Sequence, residues 1–271
     1  MEIEFWGVRG TTPVSGKDKL KYGGHTPCAT VTGEAGEILI IDAGTGIKNL
    51  GERLMAETDT RELRLHVLLT HFHLDHITGL PFFAPLYSSK TTIIFYSPVS
   101  PQETEKCLRG VMTGRYFPVD FKETASRKNF VKIEEDSFSV GKLKISACLL
   151  HHPQGSVGYK IEGKNSSVVF ATDTEPPEQG MDERLSSFIK GVTYFVYDAT
   201  FTPEEYLMRQ GWGHSTYLEG TKLARKAGVQ NLFLSHLNPD HSDSRVDGMV
   251  KRARQEFRRT AAARERLRLK F

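Results

Sequence analysis

The chain has 271 residues, 38% hydrophobic and 25% charged, and a formal net charge of +3. That length buries a sizeable core in one or two domains, and the ordinary balance excludes a disordered or fibrous chain. No apolar run approaches the ~20 residues that cross a bilayer, and the start, Met1-Glu2-Ile3-Glu4-Phe5-Trp6, lacks the basic-then-apolar layout of a signal, so a cytoplasmic location is expected. Cys28, Cys107 and Cys148 are odd in number and scattered, which fits reduced thiols better than a disulfide framework or a Cys-x-x-Cys zinc site.

Residues 3–8 alternate as a first strand and run into Gly7-Val8-Arg9-Gly10-Thr11-Thr12-Pro13, where glycines permit a turn. A second turn, Tyr22-Gly23-Gly24-His25-Thr26, precedes predicted strands over 28–32 and 38–41, and a helix is predicted over 47–56. Asp42 ends the second of these strands, where it suits either support of a metal ligand or the cap of that helix. Strands follow at 65–69 and 91–96, with helical stretches opening at 77 and spanning 103–111. Residues 113–129, with weak periodicity, read either as a mobile wall of an active site or as a surface connection. Strands return at 143–149, 157–161 and 167–171, the last two joined across Gly163-Lys164-Asn165 as a hairpin. A helix over 181–189, strands at 194–197 and 232–234, and a helix over 214–227 closed by Gly228 come next. From Lys251 to the end there are nine basic and two acidic residues. This reads as a basic C-terminal helix from 246 onward, whose charges form a solvated face or attract nucleic acid or anionic membrane. Two strand sets, each followed by helices, predict two face-to-face sheets with helices outside, in a single domain over 1–271.

Chemistry concentrates at Thr70-His71-Phe72-His73-Leu74-Asp75-His76. Imidazole nitrogens and a carboxylate are ligands that divalent metals prefer, zinc foremost. One metal cannot take all four groups from so short a segment, whereas two nearby metals can. Further ligand types stand at predicted strand ends: His151 and His152 before Pro153, Asp173 after 167–171, and His236 after 232–234. His214 sits in Gly213-His214-Ser215-Thr216, and Asp198, in Asp198-Ala199-Thr200-Phe201, is a carboxylate able to orient it and raise its pKa.

His71-x-His73-x-Asp75-His76 resembles the H-x-H-x-D-H signature of the metallo-β-lactamase superfamily. The resemblance implies a four-layer αββα sandwich, an α/β fold with two divalent metals at one edge of the sheets, zinc foremost and manganese or iron as alternatives. It assigns His71, His73 and His152 to one metal and Asp75, His76 and His236 to the other, bridged by Asp173, with His152 preferred over His151. Asp198-Ala199-Thr200-Phe201 and Gly213-His214-Ser215-Thr216 resemble motifs of the tRNA 3′-processing ribonuclease branch. The opening Phe5-Trp6-Gly7-Val8-Arg9-Gly10 resembles a compact group related to the phosphonate-pathway cyclic phosphodiesterase. The implied activity is hydrolysis of a small or cyclic phosphodiester by water held between the metals. Asp75 would orient the nucleophile, and His214, held by Asp198, would protonate the leaving oxygen. His25, Ser215 and Thr216 are the candidate substrate contacts, the latter two with helix-start N–H groups. Only twenty residues separate His152 from Asp173, where the tRNA-processing enzymes carry a tRNA-gripping arm, so nucleic acid is an open partner but tRNA 3′ processing is not expected. Relatives in the resemblance often dimerise, which leaves a homodimer among the open assemblies. A thioester hydrolase of glyoxalase II type and a non-catalytic nucleotide- or nucleic-acid-binding protein are the alternatives.

Overall fold

The computed structural model describes residues 1–58, 62–134 and 137–271. Its strands, in chain order, begin with β1 (Glu2–Gly7), β2 (Cys28–Thr32), β3 (Ile38–Ile41), β4 (Leu63–Leu68), β5 (Thr91–Ser97) and β6 (Arg127–Lys132). A second group comprises β7 (Phe138–Val140), β8 (Leu143–Leu150), β9 (Ser156–Glu162), β10 (Ser167–Ala171), β11 (Tyr194–Asp198), β12 (Asn231–Ser235) and β13 (Thr260–Ala262), before β14 (Arg268–Lys270) closes the chain. They build two seven-stranded sheets, ordered β14-β1-β2-β3-β4-β5-β6 and β13-β12-β11-β10-β9-β8-β7. The helices are α1 (Ile47–Thr58), α2 (Leu74–Ile77), α3 (Pro101–Gly110), α4 (Glu183–Phe188), α5 (Pro203–Tyr206), α6 (Tyr217–Lys226) and α7 (Asp243–Glu256).

Alternation along each strand sorts side chains between two cores. In β5, Ile94 and Tyr96 face the opposite sheet, while Ile93 and Phe95 join the layer under α1 and α3. In β3, Leu39 and Ile41 divide from Ile40 in the same way. Burial on both faces is why these strands read as continuous apolar runs. The predicted α/β sandwich with helices outside is the fold observed.

One expectation is corrected here. The tail from 246 is not one basic helix: α7 ends at Glu256, and β13 and β14 then complete the edges of opposite sheets. Residues 266–271 alternate Arg266, Arg268 and Lys270 with Leu267, Leu269 and Phe271, and the apolar set packs on the inter-sheet core. Arg268 lies 3.0 Å from buried Glu4, Lys270 3.6 Å from Glu2, and Arg266 over the Trp6 ring. Part of the basic run is thus spent holding β14 to β1. Of the two readings of residues 113–129, the surface connection fits the second half. Phe121 is buried beneath Phe95 and Phe130, and the segment ends as the edge strand β6.

Candidate metal centre

The site forms where parallel strands end together. β3 and β4 are parallel, as are β10, β11 and β12, so the residues just past their C-termini share one edge. The sheets are stitched there: Val157 N–H donates to Thr70 O at 3.2 Å and Tyr159 OH to Leu69 O at 2.7 Å. Across the other side, Leu237 N–H donates to Val8 O and Gly10 N–H to Leu237 O. Gly10 is required, because a Cβ there would stand 2.2 Å from the His236 ring. Among the described residues, five of the six non-glycine residues with positive φ, namely Thr11, Asp42, Gln154, Asp173 and His236, lie at this edge. Backbone strain gathers where surrounding contacts over-determine it, commonly at functional sites.

Each clustered histidine has one ring nitrogen engaged behind it, which assigns its tautomer from the hydrogen-bond network. His152 Nδ1 donates to Gly213 O at 2.9 Å, His73 Nε2 to Gln154 Oε1 at 3.1 Å, and His76 Nδ1 to Asp42 Oδ2 at 2.8 Å. His71 Nδ1 donates to Thr70 Oγ1, and His236 Nδ1 to Thr200 Oγ1, both at 3.0 Å, because these hydroxyls spend their own protons on Asp42 and on His236 O. The remaining nitrogens converge. His73 Nδ1 and His152 Nε2 are 3.1 Å apart, and His76 Nε2 and His236 Nε2 3.4 Å. Two lone pairs cannot face each other at such distances without a cation or proton between them.

The carboxylates complete the pattern. Asp173 lies 3.2 Å from both His76 Nε2 and His236 Nε2, and Asp75 3.2 Å from His236 Nε2 while accepting Thr11 N–H at 2.8 Å. Potential ligand atoms of His71, His73 and His152 lie within 4.8 Å of one another, as do those of Asp75, His76 and His236, and of His71, His76 and Asp173. His71 Nε2 and Asp173 Oδ2 are buried without a hydrogen-bond partner. Burial pushes His71 well down, which leaves the buried Nε2 lone pair available to a cation. Burial alone would raise Asp75 and Asp173, but the adjacent His76 and His236 hold both well below the usual carboxylate range. The same contacts overcome burial at His236 and lift it to about 9. Ionised carboxylates in a buried cluster demand positive charge, and the donor set of five imidazoles and two carboxylates fits divalent cations.

Beside the cluster, His214 Nδ1 lies 3.1 Å from Asp198 Oδ2. Its ring stacks on His236 with centroids 4.9 Å apart and tilts against His152 at 5.6 Å. Asp198 is buried and also accepts the N–H groups of Asp173, Thr200 and Ser215. Burial would raise it, but His214 brings it below its ordinary value.

The other candidates are placed differently. His151 is exposed and faces Asp182 at 3.5 Å, away from the converging nitrogens. Helix α6 starts at Tyr217 rather than at His214, with Thr216 as its cap accepting Glu219 N–H. Ser215 is fully buried and hydrogen-bonds Tyr197 OH, and its N–H belongs to Asp198. Ser215 and Thr216 are therefore structural, not substrate contacts. His25 is likewise spent: Nδ1 meets Thr45 Oγ1 and Nε2 accepts from Asn49, both at 3.1 Å.

Sequence reasoning missed Thr11, Gln154, Thr200 and Glu175. Glu175 accepts Tyr206 OH, Gly211 N–H and Gly213 N–H, fixing the loop that carries His214 and the carbonyl behind His152. A Cβ on Gly213 would stand 2.2 Å from His152. Thr200 lay within a quoted motif, but a lone glutamate after Asp173 gave no signal.

Known proteins share this fold. Ribonuclease Z of Oceanobacillus iheyensis is 24% identical over 84% of this chain and 87% of its own length. The metallo-β-lactamase fold protein YhfI from Bacillus subtilis superposes with a TM-score of 0.73 at 19% identity, covering 99% of this chain and 98% of its own. The short form of human tRNase Z does so with a TM-score of 0.68 at 17% identity, covering 100% and 99%. These findings overturn one expectation. The missing arm between His152 and Asp173 does not exclude tRNA 3′ processing, because relatives spanning most of the chain are named ribonuclease Z. A beta-lactamase superfamily domain matches residues 38–237, and the chain belongs to that superfamily, with the metallo-β-lactamase fold.

Proposed function

We propose that this protein is a dinuclear metal-dependent hydrolase of phosphodiester bonds. His71, His73 and His152 would hold one divalent cation, Asp75, His76 and His236 the other, with Asp173 shared. Zinc suits the imidazole-rich set, and manganese or iron would also be accepted. Two such cations supply Lewis acidity and activate water near neutral pH. Asp75, fixed by Thr11 N–H, accepts a hydrogen bond from the attacking water. His214 delivers the proton from Nε2 to the leaving oxygen, while Asp198 holds the opposite nitrogen.

The observation that carries this reading is the Asp198–His214 pair at the edge of the cluster. A thiolate leaves from a thioester without a proton, whereas an alkoxide leaving from phosphorus needs one. The pair therefore favours the phosphodiester. The resemblance of the opening motif to the cyclic phosphodiesterase group supports a small or cyclic nucleotide-like substrate, and the relatives named ribonuclease Z add RNA to the substrates to be tried.

The test compares bis(p-nitrophenyl) phosphate with an RNA dinucleotide, using metal-loaded wild type and His214→Ala. The dinucleotide rate should fall by about 10²–10⁴, and the activated ester much less because p-nitrophenolate leaves unaided. Equal losses on both substrates, or an inactive wild type with its full metal complement, would reject the reading.

A further inference from the structure

Two clefts flank the histidine cluster. One, of about 740 Å³, lies on the side of His151, His152, Glu175 and Tyr206. The other, of about 410 Å³, opens on His71 and His73. The second has apolar walls, formed by Phe72, Pro98, Val99, Leu149 and Val157, and its Leu149 side chain is 47% exposed. Two polar groups interrupt them. Gln154 has its amide oxygen held by His73, and no partner is seen among the described residues for its amide N–H groups. Ser156 Oγ is buried with no hydrogen-bond partner at the inner wall. Apolar walls with a few hydrogen-bonding groups of fixed position are the ordinary make-up of a small-molecule subsite.

We infer that this cleft holds a nucleobase on the arm of the phosphodiester that is retained after cleavage. The inference rests on the phosphodiesterase reading and adds the substrate's chemistry. The direction follows from placement. His214 packs on His236 and His152, so the leaving oxygen faces that side. The cleft opens at His71 and His73, so the other ester arm reaches it. An apolar wall carrying Phe72 suits a flat heterocycle better than a sugar-phosphate chain, whose charges would lose hydration there. Base stacking on aromatic side chains is also tolerant of base identity. Gln154 N–H and the Ser156 hydroxyl are complementary to the carbonyl and ring-nitrogen edge of a base.

Two phosphodiesters with one leaving group test this: p-nitrophenyl esters of thymidine phosphate and of methyl phosphate. Wild type should show a KM for the thymidine ester at least ~10-fold lower. Leu149→Glu and Val99→Glu should erase that preference and leave kcat/KM for the methyl ester within about twofold. Equal KM values in wild type, or equal losses on both esters in the variants, would overturn the inference while leaving the phosphodiesterase reading intact. Inactivity on both esters at full metal loading would reject the underlying reading instead. Equilibrium binding of thymidine monophosphate to metal-loaded protein is independent of turnover. Binding weakened ~10-fold in Leu149→Glu supports the cleft, and unchanged binding rejects it.

Discussion

The two halves of the candidate centre are built to different standards. Asp75, His76 and His236 are buried; His76 and His236 are backed by the buried side chains of Asp42 and Thr200, and Asp75 accepts the N–H of the more exposed Thr11. His73 is exposed, and its support is the exposed Gln154. Desolvated, doubly bonded ligands keep one geometry, whereas an exposed imidazole leaning on an exposed amide can yield. On the proposed ligand assignment, the difference predicts a tightly held inner cation and a more exchangeable outer one, next to the cleft where substrate would enter.

Asp173 stands between the halves, so its loss should produce the largest effect. Asp173→Ala should lower phosphodiester hydrolysis by ~10³-fold or more and reduce metal content at both positions. Retention of either ion at wild-type affinity would break the picture of a shared ligand. Next comes the contrast within the pair. His76→Ala removes the imidazole partner of buried Asp42, leaving it only Thr70, and should destabilise the metal-free protein by about 3 kcal/mol. His73→Ala should stay within about 0.5 kcal/mol, and denaturant unfolding reads both.

A buried histidine outside the cluster gives the control. His66 hydrogen-bonds Tyr96 OH, and burial depresses it to about 4. With an unfolded value near 6.5, the unfolded chain binds the extra proton first. The stability that His66 contributes is therefore full above about pH 6.5 and is lost as pH falls toward 4. The loss should reach about 2–3 kcal/mol, and His66→Gln should flatten that slope in metal-free protein. The smallest effects concern the supports. Asp42→Asn should weaken the inner cation by about 10–100-fold, and Gln154→Ala should weaken the outer one by ~10-fold or less. A reversed order, measured by competition with a chelator, would contradict the asymmetry.

Much of this was legible in the residues. The apolar runs gave the central strands because these are buried on both faces. The histidines were legible because ligand types stood at strand ends. The tail was misread although its period of two, Leu267, Leu269 and Phe271 between basic residues, was present: net charge drew attention away from alternation. Ser215 and Thr216 were misread because a motif near a helix start does not tell which hydroxyls the core consumes. Glu175, Gln154 and the apolar cleft were invisible, since they depend on loops meeting from β8, β10 and α5.

The central claim is a two-cation centre that cleaves phosphodiesters, and a zinc titration of metal-free protein followed by bis(p-nitrophenyl) phosphate hydrolysis tests it most directly. The account predicts two ions per chain, bound in two distinguishable steps, with hydrolysis rising as the second, weaker ion binds. Saturation at one ion, or two bound ions with no hydrolysis, would contradict it.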